Sequence, residues 1–233
     1  FNSYLERDRD ALMERTRTRP LPAGDVQPGP ALAFAFVLAA MGAALLFEEA
    51  GPAPALIALA ATAVYVFIYT LWLKPRTPFA VIVGGISGAI APLIADAAVN
   101  GSVGPAGWML FAIIFVWQPP HFYAIAIFRR DDYARAGFPM LPDRIGMDAT
   151  CNRIVLWSLA MVPITLLPFW LPELGWIYLI VAAGLGGVFL QRAWRLRVRK
   201  DVESARGLFR FSLVHLLGCF SAMILDLGVG VWF

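Results

Sequence analysis

The chain has 233 residues, 60% of them apolar, with a net charge of +3 and a mean hydropathy of +0.70. A soluble domain is closer to half apolar, and the apolar runs here lack the polar–apolar alternation of a porin-like barrel. Cys151 and Cys219 lie far apart with no CxxC or CxxxH partner, so neither a disulfide framework nor a zinc site is indicated. What remains is an all-α, polytopic transmembrane bundle.

Residues 1–24 are charged: Arg7, Arg9, Arg15, Arg17 and Arg19 alternate with Glu6, Asp8, Asp10 and Glu14. Asn2, Glu6 and Asp10 recur every four residues, which lines them along one helical face with a drift of about 40° per step. Asp8 points away from that row. Pro20 and Pro22 end the segment and Gly24 marks a loop. The chain opens without Met and without a visible leader. It reads as one N-terminally truncated domain over 1–233, with further helices expected before Phe1.

Seven spans of roughly twenty apolar residues follow, each long enough to cross a bilayer. They are read at 30–47, 53–73, 79–98, 106–128, 154–171, 174–191 and 211–232. The connectors after the first, third and fifth spans hold no Lys or Arg. The others hold Lys74 and Arg76; Arg129, Arg130, Arg135, Arg144 and Arg153; and Arg192 through Arg210. With the opening segment, all nineteen cations fall on one side. By the positive-inside rule that side is cytoplasmic, or the matrix side in a mitochondrion. One missed or invented helix would scramble this partition. In the third span, Gly84, Gly85, Gly88 and Ala89 predict close backbone approach. In the fifth, Pro163 and Pro168 predict a kink unless neighbours satisfy the freed carbonyls.

Two clusters carry candidate chemistry. The row Asn2, Glu6, Asp10 offers hard oxygen ligands for a magnesium ion that a diphosphate would bridge. It also suits a solvated helix end whose carboxylates pair with nearby arginines. Arg15, Arg17 and Arg19 fit phosphate oxygens by their forked geometry, and equally fit plain topology control. The second cluster, Arg129, Arg130, Asp131 and Asp132, leaves an apolar run through Trp117-Gln118-Pro119-Pro120-His121. Both clusters join carboxylates to guanidinium groups on the same predicted face, and Lys74 and Arg76 extend the cationic supply there. His121, next to a Pro-Pro break inside a membrane segment, is a candidate iron ligand, base or helix-to-helix hydrogen bond. His215 has the same range of roles, with the structural one favoured. Asp96 and Asp226 read as structural or interfacial. The aromatic residues around Tyr65, Tyr69, Phe115 and Tyr123 suit a prenyl chain or a carbocation, and equally suit packing.

ERDRDALMERTRTRPLP, YTLWLKPRTP followed by IVGG, WQPPHFYAIAIFRRDDYARAGFPMLP and ARGLFRFSLVHL occur in that order along the chain. Together they resemble the UbiA superfamily of intramembrane prenyltransferases, and within it the protohaem IX farnesyltransferase (haem O synthase) branch. The resemblance implies nine transmembrane helices, two of them before Asn2. It places Asn2, Glu6, Asp10, Asp131 and Asp132 in the metal-binding motifs, holding Mg2+ with the prenyl diphosphate. Asp132 matches the recurrent aspartate and Asp131 a more variable neighbour. Lys74, Arg76 and Arg129 fall where basic residues hold the diphosphate, with Arg15, Arg19 and Tyr133 as further substrate contacts. His121 falls on a histidine after Pro-Pro, on the haem side. Asp10, Asp132, Lys74 and Arg129 are the catalytic set that follows.

The implied activity is farnesyl transfer from farnesyl diphosphate to a vinyl group of haem b, giving haem O. The implied partners are those two substrates, the lipid bilayer and a haem A synthase, with no nucleic acid. The implied setting is a bacterial inner membrane, with the site facing the cytoplasm, rather than a mitochondrial inner membrane. Glu6 stands where Asp is usual, Pro75 where a basic residue is common, Ala80 for Asn, Ala91 for Pro and His215 for Tyr. These departures bear mainly on the acceptor, which leaves a quinone precursor or another aromatic ring as the alternative. A non-catalytic transporter or assembly protein fits less well, because the charges sit at one surface and no repeat is visible.

Overall fold

The computed structural model describes residues 1–230. Short helices α1 (Asn2–Leu5), α2 (Arg7–Asp10) and α3 (Pro20–Ala23) precede α4 (Pro28–Ala50) and α5 (Pro52–Ala63). The last of these continues as a π-helix over Val64–Leu73, followed by α6 (Ala80–Ala89), α7 (Ala91–Asn100), α8 (Pro105–Phe128) and α9 (Arg130–Arg135). The chain ends in α10 (Leu141–Leu166), a 3-10 turn over Leu167–Trp170, α11 (Trp176–Arg199) and α12 (Val202–Gly230). Seven stretches are long and apolar enough to span a bilayer, so this is a multi-pass membrane protein. Of the last expected span, residues 231–232 lie outside the described residues.

The helices run further than hydropathy suggests. The connector expected over 192–210 is helical on both sides of Lys200 and Asp201. Lys200 takes the left-handed cap of α11 at φ 54°, and the Asp201 carboxylate accepts the Ser204 N–H at 2.6 Å. Hydropathy marks where lipid ends. Arginine is a good helix former, so the helix itself continues into water. The fifth span likewise begins well before 154, interrupted only at Gly146 (φ 83°, ψ 165°), a backbone open to glycine alone. Nor do Pro119 and Pro120 break α8, which stays helical through both. In the third span the helix pauses at Ile90, just before Pro92, which has no N–H to donate. Pro163 sits inside α10, and Pro168 lies where α-helix gives way to the 3-10 turn.

Two compact units emerge, and each is internally packed. The first comprises Phe1–Gly104 and Arg129–Arg144. Its small-residue expectation holds at Gly84, Gly85 and Ala89, which are buried, while Gly88 is exposed. A Cβ on Gly84 would come 2.6 Å from the Tyr69 ring, so glycine is what lets Tyr69 lie against α6. The Asp96 carboxylate accepts the Gly104 N–H at 2.7 Å and closes the end of α7.

The second unit comprises Pro105–Phe128 and the chain from Ile145 onward. Its core gathers Ile113 of α8, Tyr178 and Ala182 of α11, and Cys219, Ala222 and Met223 of α12. Buried Asp226 reaches from α12 to the start of α11. One of its oxygens accepts the Gly175 and Tyr178 N–H groups at 2.7 and 2.9 Å. Both aspartates are structural, as their positions in the sequence suggested.

The Asp226 cap gives a direct prediction. Asp226→Ala strands two N–H groups in an apolar setting and is expected to destabilise the fold by about 2 kcal/mol. Asp226→Asn, which keeps an acceptor oxygen, should lose less. Thermal unfolding in detergent measures both. Identical midpoints for Ala, Asn and wild type would mean the cap carries no stability.

Candidate functional site

The first unit holds the polar cluster. Backbone bonds run Glu6 N to Asn2 O and Asp10 N to Glu6 O, so the row survives although Glu6 itself leaves ideal helical geometry (φ −101°, ψ 3°). Glu6 and Asp10 are buried, at 7% and 4% exposure, while Asp8 on the other face is exposed. After Asp10 the chain folds tightly. Thr16, fully buried, donates its hydroxyl to Asp10 O at 2.8 Å, and Arg19 reaches back to Asp10 Oδ2 at 3.1 Å.

Residues 129–140 dock onto that turn. Met13 packs with Ala136 and Phe138 in a small apolar core. Asp132, 5% exposed, accepts the Glu14 N–H at 3.3 Å. Arg129 stands 3.6 Å from its other oxygen. Arg135 bonds to Asp132 and lies 3.8 Å from Glu14. The second acidic cluster thus meets the chain four residues past Asp10. Burying an ionised carboxylate is tolerated only with such pairing.

The π-helix supplies the third wall. Five residues make about 1.4 α-turns, which would set Tyr65 roughly 140° from Thr70. The i→i+5 closure, seen at Lys74 N to Tyr69 O (2.8 Å), brings such residues onto one face instead. That face turns to the acidic row. Thr70 donates to Asn2 Oδ1 at 3.3 Å, and Lys74 Nζ lies 2.6 and 2.7 Å from the Glu6 oxygens. The Lys74 ammonium also sits 4.8 Å from the Phe138 ring centre and 5.7 Å from that of Tyr69. Arg9 covers the Phe138 ring as well, at 4.7 Å. Burial pushes the Tyr133 phenol above its ordinary range; Arg15 opposes that shift and Glu6 adds to it.

The structure therefore gathers Asn2, Glu6, Asp10, Lys74, Arg19, Arg129, Asp132 and Tyr133. It does not gather all the expected residues. Asp131 is exposed, Arg15 is exposed with its charge reaching Tyr133, and Arg76 donates to Leu71 O and Trp72 O at the end of its own helix. Arg135, Phe138, Thr70 and Thr16 were not singled out in the sequence. Only the spacing of Arg135, one helical turn from Asp132, hinted at a role.

Among the described residues no three Asp, Glu, His or Cys side chains crowd into one ligand shell. Magnesium, however, usually takes one or two carboxylates plus substrate phosphates rather than an all-protein cage. The donors here fit that mode: buried carboxylates, with Glu6 Oε1 paired to Lys74 off the hydrogen-bonding direction and so left without a hydrogen bond. Beside them a largely apolar cavity of 440 Å³ is lined by Asn2, Tyr65, Ala58, Ala61, Ser87 and Gly88. This falls within the usual size of a ligand site. A second, of 510 Å³, runs past Arg19, Tyr4 and Phe34.

In the second unit His121 is 7% exposed and hydrogen-bonded. Its Nδ1 lies 2.6 Å from Ser212 Oγ, and its ring stacks on Trp117 at 4.3 Å and meets Phe209 at 4.8 Å. Trp117 donates to Ser212 O at 2.7 Å. These bonds join α8 to α12 across the two prolines. His215 is fully buried against Phe189.

Comparison with known proteins follows the same lines. Residues 1–216 match the UbiA prenyltransferase family. A protoheme IX farnesyltransferase of Gloeobacter violaceus is 44% identical over 227 residues, covering 97% of this chain and 74% of that protein. The protoheme IX farnesyltransferase of an Azoarcus species is 44% identical, covering 97% and 76%. Among solved structures, a digeranylgeranylglyceryl phosphate synthase superposes with a TM-score of 0.80 at 19% identity, covering 97% of this chain and 79% of that one. A UbiA homologue from Aeropyrum pernix gives 0.72 at 19%, covering 97% and 82%. These two share the fold.

The Glu6–Lys74 pair yields a prediction separable from activity. Lys74→Met leaves a buried carboxylate without its partner and should cost about 3 kcal/mol. Glu6→Gln combined with Lys74→Met should recover most of that loss. A double-mutant cycle on unfolding in detergent reads the coupling, and additive effects would show that the pair does not stabilise the fold.

Proposed function

The chain belongs to the UbiA prenyltransferase family, and from that premise we infer that it transfers a farnesyl group from farnesyl diphosphate to a vinyl group of haem b, giving haem O. The observation that carries the reading is the meeting of Asp132 with the turn that follows Asp10. It sets two acidic motifs and their cations around one polar mouth, next to an apolar cavity.

The diphosphate binds at that mouth. Asn2, Glu6, Asp10 and Asp132 are the residues that would hold Mg2+, which when bound neutralises phosphate charge. Lys74, Arg129 and Arg19 face the leaving group, and Arg15 and Arg76 extend the cationic rim. As the C1–O bond breaks, its electron pair departs with the diphosphate, where preorganised cations offset the growing charge. The vinyl π electrons then attack C1. The cation left on the porphyrin side takes up water and loses a proton, which gives the hydroxyethylfarnesyl arm. The apolar walls around Tyr65 and Ala61 shelter the prenyl chain from water until then. Tyr133, a phenol at the same mouth, has an O–H able to donate to a phosphate oxygen. His121, fixed by Trp117 and Ser212, is assigned to the acceptor.

The nineteen cations on one side of the span order support a cytoplasmic mouth, and the bacterial relatives support a bacterial inner membrane. A haem A synthase is the partner expected to consume the product.

Membranes carrying the protein, supplied with farnesyl diphosphate, Mg2+ and haem b, should form haem O, detected by mass spectrometry. Asp10→Ala and Asp132→Ala should each lower turnover by at least about a thousandfold, a loss of about 4 kcal/mol in barrier lowering. Exposed Asp8→Ala should stay near wild type. Normal turnover in Asp132→Ala would sink the clamp. A prenylated quinone precursor in place of haem O would sink the acceptor.

A further inference from the structure

The turn between α11 and α12 carries charges that no part of this chemistry uses. Arg192, Arg195 and Arg199 recur at three- and four-residue intervals on α11, so they stack along one face. Across the turn, α12 supplies Glu203, Ser204 and Gly207, and together these residues line a cavity of 120 Å³. That is the liquid volume of about four waters.

The cavity is cationic, and its cations are held in place. Three guanidinium groups and one carboxylate, Glu203, line it, and the charges of Arg199 and Arg195 also reach Asp201 at its edge. Arg192 is held by a 3.5 Å bond to Gly207 O and by the Phe211 ring beneath it at 4.8 Å. Among the described residues no ion pair engages Arg195 or Arg199. The other acid of the turn, Asp201, caps α12 through the Ser204 N–H. Ser204 Oγ lies beside that carboxylate, shielded from solvent and at the cavity wall.

Forked guanidinium donors converging on one cavity, with a hydroxyl at its wall, match a tetrahedral anion. Trp194 and Val198, also on α11, are exposed at 55% and 64%, and Arg197 packs over the Trp194 ring at 4.9 Å. Tryptophan favours the headgroup level of a bilayer. We propose that this cavity binds a phosphate group, carried by an anionic phospholipid headgroup or free in solution. An alternative account, in which these arginines serve topology only, requires their charge and not their places.

The full chain in detergent is titrated with short-chain phosphatidylglycerol, with a diacylglycerol of the same chains, and with inorganic phosphate. Arg195→Gln with Arg199→Gln removes two walls; Arg206→Gln with Arg210→Gln removes equal charge from α12 outside the cavity. The first pair should weaken phosphatidylglycerol binding by about tenfold or more, the second by less than about twofold. Ser204→Asp, which puts a carboxylate into the cavity, should abolish binding while the protein elutes as a single species. Competition by inorganic phosphate identifies free phosphate as a ligand; phosphatidylglycerol binding without such competition identifies the lipid headgroup. Equal losses in the two double variants would overturn the site. So would phosphatidylglycerol binding no tighter than diacylglycerol with inorganic phosphate inert.

Discussion

An ionised carboxylate that leaves water needs a partner for each oxygen, and Asp132 finds its partners on two separate stretches of chain. The Glu14 N–H meets one oxygen, Arg129 stands at the other, and Arg135 bridges to Glu14. Loss of hydration is severe enough that this pairing fixes where residues 129–140 lie. The apolar contact of Met13 with Ala136 and Phe138 supports the same placement. Once they are docked, the acidic row, the returning segment and the π-helix form one mouth.

The cations of that mouth have two jobs at once. Arg19, Lys74, Arg129 and Arg135 pair with Glu6, Asp10 and Asp132, which makes burial tolerable. With Glu14, which Arg135 also approaches, four cations meet four carboxylates. Lys74 is further held between the Phe138 and Tyr69 rings, whose faces attract a cation without adding charge. An ammonium fixed in this way loses little freedom when a phosphate arrives, the general basis of preorganised electrostatics.

The second unit works differently. Several of its buried polar groups are bonded to one another and to backbone: Asp226 to the start of α11, Trp117 and His121 to Ser212. Such bonds tie helices together where apolar side chains cannot choose between protein and lipid. They also brace α8 against α12 on either side of its two prolines.

Much of this was legible in the residues. Apolar runs located all seven spans because lipid imposes length and composition on any helix that crosses it. The four-residue spacing put Glu6 and Asp10 on a buried face and Asp8 on an exposed one, because helical periodicity is local. The tertiary structure alone decided which cation meets which acid. Lys74 goes to Glu6, Arg135 to Asp132, and Arg76 folds back on its own helix. It also decided that Val64–Leu73 winds as a π-helix, which turns Tyr65, Thr70 and Lys74 to one side. Both outcomes rest on contacts between residues far apart in the chain, such as Thr70 with Asn2 and Glu14 with Asp132, and no local pattern encodes which distant partner will be near enough to neutralise a buried charge.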